Sequence, residues 1–131
     1  MICERVHFDS EGVRLAGNAA SAVPALLAAG VDVLVGTDAG APGTAHGASV
    51  HRELELLVRA GMSPWQALTA ATSAPARRFG LADHGRIAPG MRADLLVVRG
   101  DPGAAITSSR DIVAVYRAGH QVRDRNSECY H

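Results

Sequence analysis

The chain has 131 residues, 47% hydrophobic and 20% charged, enough for one domain with one core and too apolar for a disordered segment. Thirteen Lys and Arg balance thirteen Asp and Glu, so no net field draws it to nucleic acid or anionic lipid. No apolar run approaches a membrane span and no secretory pattern opens the chain; Cys3 and Cys129, at opposite ends, make no disulfide framework, which reads as a cytoplasmic protein with reduced thiols.

In chain order, residues 1–17 show no sustained period. From Asn18 to Ala29 the sequence is Ala-rich, and Gly30 is placed to end a helix, with Ser21 as an N-cap that would put Pro24 in the first turn. Val31-Asp32-Val33-Leu34-Val35 is a β-branched run, predicted as a strand buried on both faces of a parallel sheet. The stretch from Gly36 to Gly47 is too rich in Gly and Pro for regular structure. Val50, Leu54, Leu57 and Val58 then recur at helical spacing up to a stop at Gly61.

Ser63-Pro64-Trp65-Gln66 spells a helix start, with Ser63 as N-cap, Pro64 at N1 and Gln66 closing a capping box. That helix is predicted to run to about Thr72, followed by a short turn from Pro75 to Gly80. Beyond Pro89-Gly90, Ala93–Val98 and Asp111–Tyr116 read as strands, and Ala118-Gly119 turns the chain into a third strand at Gln121-Val122. The order is α/β first, then a small β unit with too few strands for a sandwich of its own.

Asp38 follows the predicted strand 31–35 by three residues, and strand ends are where parallel α/β folds gather functional groups. A carboxylate there can bind a metal or take a proton from metal-bound water. The structural alternative is an Asx-turn or a helix cap. His46, in the same loop, could be a ligand, a proton shuttle or a substrate hydrogen-bond donor. His51 and Glu55 lie one helical turn apart, a spacing that suits a metal or an ordinary surface pair. His84, His120 and His131 are scattered. The chain contains no His-x-His, HExxH, CxxC, GxSxG or Walker motif, and no Ser or Cys nucleophile with a supporting His–Asp arrangement.

Several of these segments, in this order, resemble the amidohydrolase superfamily. Val31-Asp32-Val33-Leu34-Val35-Gly36-Thr37-Asp38-Ala39-Gly40 is similar to its eighth barrel strand and the loop after it, nearest the imidazolonepropionase-like and Xaa-Pro dipeptidase-like branch. Ala45-His46-Gly47 with Glu53–Leu57, Ala60–Pro64 with Ala67–Thr72, and Gly85–Val98 resemble the helices and the return to a small β domain that follow. The resemblance covers about residues 18–123. It implies the end of a (β/α)8 barrel in residues 18–82 and part of a β-sandwich in residues 83–131. It implies a divalent metal, usually zinc, hydrolysis of amide, peptide or cyclic amide C–N bonds, and a small amide or dipeptide-like substrate. Within it, Asp38 would be both metal ligand and catalytic general base, and His46 a substrate-binding residue.

The other ligands of the family have no counterpart here. A barrel takes about 250 residues in eight strands, and this chain matches one strand of it. The resemblance therefore implies a truncated or split frame, or a piece of a longer enzyme, inactive alone. Two rivals stand beside it: a pseudoenzyme or interaction module that folds with a complementing chain or with itself, and an independent small α/β binding domain.

Overall fold

Helix ends are written plainly into the backbone. The computed structural model describes residues 21–122, so the cysteines, residues 1–17 and His131 lie outside the described part. Residues 21–28 are helical (α1); Ala48–Arg59 form α2, Pro64–Ala71 α3 and Ser73–Arg78 α4. After α1, the N–H of Gly30 donates to Leu27 and that of Val31 to Leu26. The same pair of bonds closes α2, through Gly61 and Met62, and α4, through Gly80 and Leu81. All three glycines have φ between 71° and 109°, the left-handed turn that a Cβ disfavours. The stops predicted at Gly30, Gly61 and Gly80 are thus present.

The start of α3 is as predicted. The Ser63 hydroxyl accepts from the Gln66 N–H at 3.2 Å, the Gln66 side chain accepts from the Ser63 N–H at 2.7 Å, and Pro64 stands in the first turn. α4 begins at Ser73, two residues before the predicted turn at Pro75.

The core lies between α1, α2 and α3. Val23, Leu54, Leu57, Met62, Ala67 and Ala70 are buried in it together with Ile106 from the tail, and Val33 and Val35 pack against it. Small side chains on α3, with Ala67 fully buried, let the helices approach closely. The segment 31–35 is not a strand. Its first N–H is spent on the α1 stop, and the N–H of Val35 donates to the carbonyl of Ala70 at 3.0 Å. A strand exists only by pairing, and no neighbouring strand stands beside this segment among the described residues.

The tail forms one antiparallel sheet, ordered β1 (Leu95–Val98), β2 (Ile112–Arg117), β3 (His120–Gln121). Leu95 pairs with Tyr116 and Val97 with Ala114, and an irregularity at Val98 leaves Val113 as the extra residue. Ala118 and Gly119, both at positive φ, make the two-residue hairpin that the sequence suggests. The Asp94 carboxylate receives the Ala118 N–H at 2.6 Å and holds that turn in place. Among the described residues this is a single layer of three strands, the small β unit that the sequence suggests. Between β1 and β2 runs a 3₁₀ helix, Ile106–Arg110, that sequence reading missed.

That 3₁₀ helix joins the two halves. Ile106 enters the core, Ser109 and Arg110 meet α2, and the Trp65 indole of α3 lies against Gly103, where a Cβ would come within 2.5 Å of the ring. The molecule described is therefore an α/β unit of four helices and a three-stranded sheet, with one short 3₁₀ helix that touches both α2 and β1.

Candidate functional site

Between residue 36 and the start of α2, one side chain organises the loop. The Thr44 hydroxyl accepts the N–H of Gly40 at 3.1 Å and lies 3.0 Å from the carbonyl of Asp38 and 2.8 Å from that of Ala41, to which it donates. The N–H of Ala41 closes a turn on the same Asp38 carbonyl. Asp38 itself sits at φ 47°, one of two non-glycine residues at positive φ among those described, a conformation that Asp tolerates better than most.

The loop thus uses the backbone of Asp38 and leaves its side chain alone. The Asp38 residue is exposed, and its carboxylate has no hydrogen bond or ion pair among the described residues. The Asx-turn alternative is therefore not what this aspartate does. Elsewhere the chain does use an aspartate that way: Asp101 accepts the Gly103 N–H at 2.8 Å.

His46 is exposed on the same loop, and no bond joins it to Asp38. Ser49, in the first turn of α2, accepts the Ala45 N–H at 2.8 Å and ties the far end of the loop to the helix. The loop is closed on itself around Asp38 and tied to α2 at its His46 end.

His51 corrects an expectation. The surface pair predicted with Glu55 does not form; His51 is buried, and its Nδ1 lies 3.1 Å from the Ser109 hydroxyl. Burial holds its pKa below the ordinary imidazole value, the nearby Arg110 guanidinium adds to this, and Glu55 opposes it. Glu55 instead takes Arg110 at 2.6 Å and Arg52 at 3.5 Å. The Arg110 hydrogen bond is the main reason that its carboxyl stays below the usual range. Neighbouring Glu53 goes the other way, raised by burial. Nothing in the sequence marked Ser109 and Arg110 as partners of α2. They lie 58 and 55 residues from His51 and Glu55, and the only local cue is a polar pair after a lone apolar Ile106.

His84 lies between two aspartates, with Nδ1 2.6 Å from Asp83 and Nε2 3.7 Å from Asp94. Even so, no three His, Cys, Asp or Glu side chains among the described residues come together as a metal would require. Asp38, one exposed carboxylate, does not make a metal site with these neighbours. No described helix is long and apolar enough to cross a membrane.

Comparison with known proteins agrees with the order of these segments. The Amidohydrolase family pattern matches residues 1–122. The imidazolonepropionase of Deinococcus deserti is 45% identical over 74 residues, 56% of this chain and 18% of that protein. The adenine deaminase of Methanoregula boonei is 44% identical over 54 residues, 41% of this chain and 10% of that protein. Among solved structures, a putative prolidase from Bifidobacterium longum superposes with a TM-score of 0.77 at 34% identity, covering 89% of this chain and 30% of that one. The chain therefore spans less than a third of the length of each of these proteins. It belongs to the amidohydrolase family, and its similarity lies with the imidazolonepropionase-like and Xaa-Pro dipeptidase-like members.

Proposed function

We propose that this chain is the C-terminal portion of a hydrolase that cleaves C–N bonds of small amides, dipeptides or cyclic amides. On this reading residues 18–82 close a (β/α)8 barrel and residues 83–131 contribute to a β-sandwich, with further polypeptide completing both. The family match and the names of the relatives support the reaction class. The observation that carries the assignment to a residue is the unused carboxylate of Asp38, on a loop whose turns are held by Thr44 instead.

In this role Asp38 accepts the proton of an attacking water and passes it to the leaving nitrogen. His46, exposed on the same loop, donates a hydrogen bond to the substrate. Members of the family generally use a divalent metal, and zinc is the one proposed here. No group of three metal-binding side chains stands among the described residues; on this reading Asp38 is one ligand, the others come from the completing polypeptide, and the 131-residue chain alone is inactive. A second reading, a module that folds against a partner chain, has its own support. Val31, Leu96, Ile112 and Val113 are 47–55% exposed, more apolar surface than isolated residues explain.

A graft tests the first reading. The matching part of the Bifidobacterium prolidase is replaced by this chain, and the folded hybrid is assayed with metal on dipeptides, N-acyl amides and cyclic amides. Turnover of one of these classes is the expected result. A folded, metal-loaded hybrid that turns over none of them contradicts the proposal.

A further inference from the structure

The arginines of this chain divide into two groups. Of nine among the described residues, Arg52, Arg78, Arg92, Arg99 and Arg110 each face a carboxylate. Arg59, Arg77, Arg86 and Arg117 face none among the described residues. Two of these four, Arg77 of α4 and Arg86 of the following loop, line the same cavity of about 550 Å³. No carboxylate among the described residues lines it.

The rest of the lining suits an anion with a carbon body. Ala76 and Leu81 supply apolar wall, and Ser73 a hydroxyl. The Arg77 Nη1 donates to that hydroxyl at 3.3 Å, and Arg77 also borders a smaller cavity of about 250 Å³ under α3. His84 stands at the rim, engaged by Asp83 and Asp94. Asp94 is in turn occupied by Arg92 and the Ala118 N–H, so among the described residues neither guanidinium has a carboxylate partner. A volume of this size exceeds a lone inorganic ion and falls in the range of small-ligand pockets.

Guanidinium groups bind carboxylate and phosphate oxygens through paired N–H donors. We propose that the cavity between α4 and the 80–86 loop binds a small organic anion. Its carboxylate or phosphate group lies between Arg77 and Arg86, and its body lies on Ala76 and Leu81. The site is separate from Asp38 and does not depend on the hydrolase reading.

The test is a titration of the full chain, followed by amide NMR shifts, with succinate in one arm and glycerol phosphate in the other. Saturable shifts confined to residues 73–86 are expected in at least one arm, and the arm that saturates identifies the anionic group. Arg86→Gln is expected to weaken that binding about tenfold or more. Arg59→Gln, an equal loss of charge away from the cavity, is expected to leave it unchanged. Absence of saturable shifts in both arms overturns the proposal. Equal weakening by Arg59→Gln overturns it too, because binding would then follow net charge alone. Retention of full binding by a folded Arg86→Gln variant has the same force.

Discussion

Thr44 and Asp38 divide between them two tasks that a loop aspartate usually combines. The hydroxyl pins the turns, and the carboxylate stays free for solvent or a ligand. Thr44→Val keeps the shape and deletes those bonds. It is expected to lower stability by about 0.5–1.5 kcal/mol, read from the urea midpoint of the chain, with Thr44→Ser recovering most of the loss. His51 brings a pH dependence. Its folded pKa is depressed, chiefly by burial, so the unfolded chain binds the proton more readily. Its contribution is therefore complete above the unfolded value of about 6.5 and is lost as pH falls below that toward the folded value. Glu55, also depressed, acts in the same direction but lower, below the usual carboxylate range. Glu53, raised by burial, has the opposite sign, its contribution present at low pH and lost as pH rises through its folded value. Urea midpoints measured from pH 8 to pH 5 are expected to be flat at first and then to fall below about pH 6.5. His51→Gln is expected to remove that fall; a fall of the same size in the variant contradicts the assignment. That Asp38 stands on an irregular loop was legible because the Gly- and Pro-rich stretch after the β-branched run is a local pattern. The burial of His51 was not, because its partner Ser109 is 58 residues away, and spacing along one helix says nothing of what lands on it.

Elements follow the same division between local and distant causes. The stops at Gly30, Gly61 and Gly80 and the Ser63 capping box are fixed within six residues, and each appears where the sequence places it. The strand predicted at 31–35 depends on neighbours elsewhere in the fold; without them its N–H groups serve the α1 stop and α3. The 3₁₀ helix at Ile106–Arg110 was invisible for a similar reason, being a one-turn element stabilised by what it touches. Gly85 shows how close such contacts run. A Cβ there would stand 2.6 Å from the Thr72 carbonyl and 2.8 Å from Ala76, at φ 82°. Gly85→Ala is expected to cost about 1–3 kcal/mol through overpacking, with backbone strain added to it. The cost is measurable as a lower urea midpoint, and an unchanged midpoint would show that the 80–86 loop does not pack on α3 and α4 as described.

At the scale of the whole molecule, the family was legible because its segments keep their order over most of the chain, and the match over residues 1–122 agrees. The architecture around them was less legible. The segment 31–35 lacks the strand expected there, and the apolar residues Leu96, Ile112, Val113 and Val115 of the three-stranded sheet remain exposed. On the proposed reading, such faces are packing surfaces that further polypeptide covers. The chain's span of less than a third of its relatives and these uncovered faces support one account, in which Asp38 is the chemical contribution of this portion. The most direct measurement compares kcat of the prolidase hybrid with kcat of its Asp38→Asn variant, at equal folding and equal substrate affinity. The account predicts that Asp38→Asn lowers kcat by about a hundredfold or more, while Asp101→Asn, at an aspartate that only holds a turn, leaves it unchanged. A folded Asp38→Asn hybrid that keeps its kcat contradicts it.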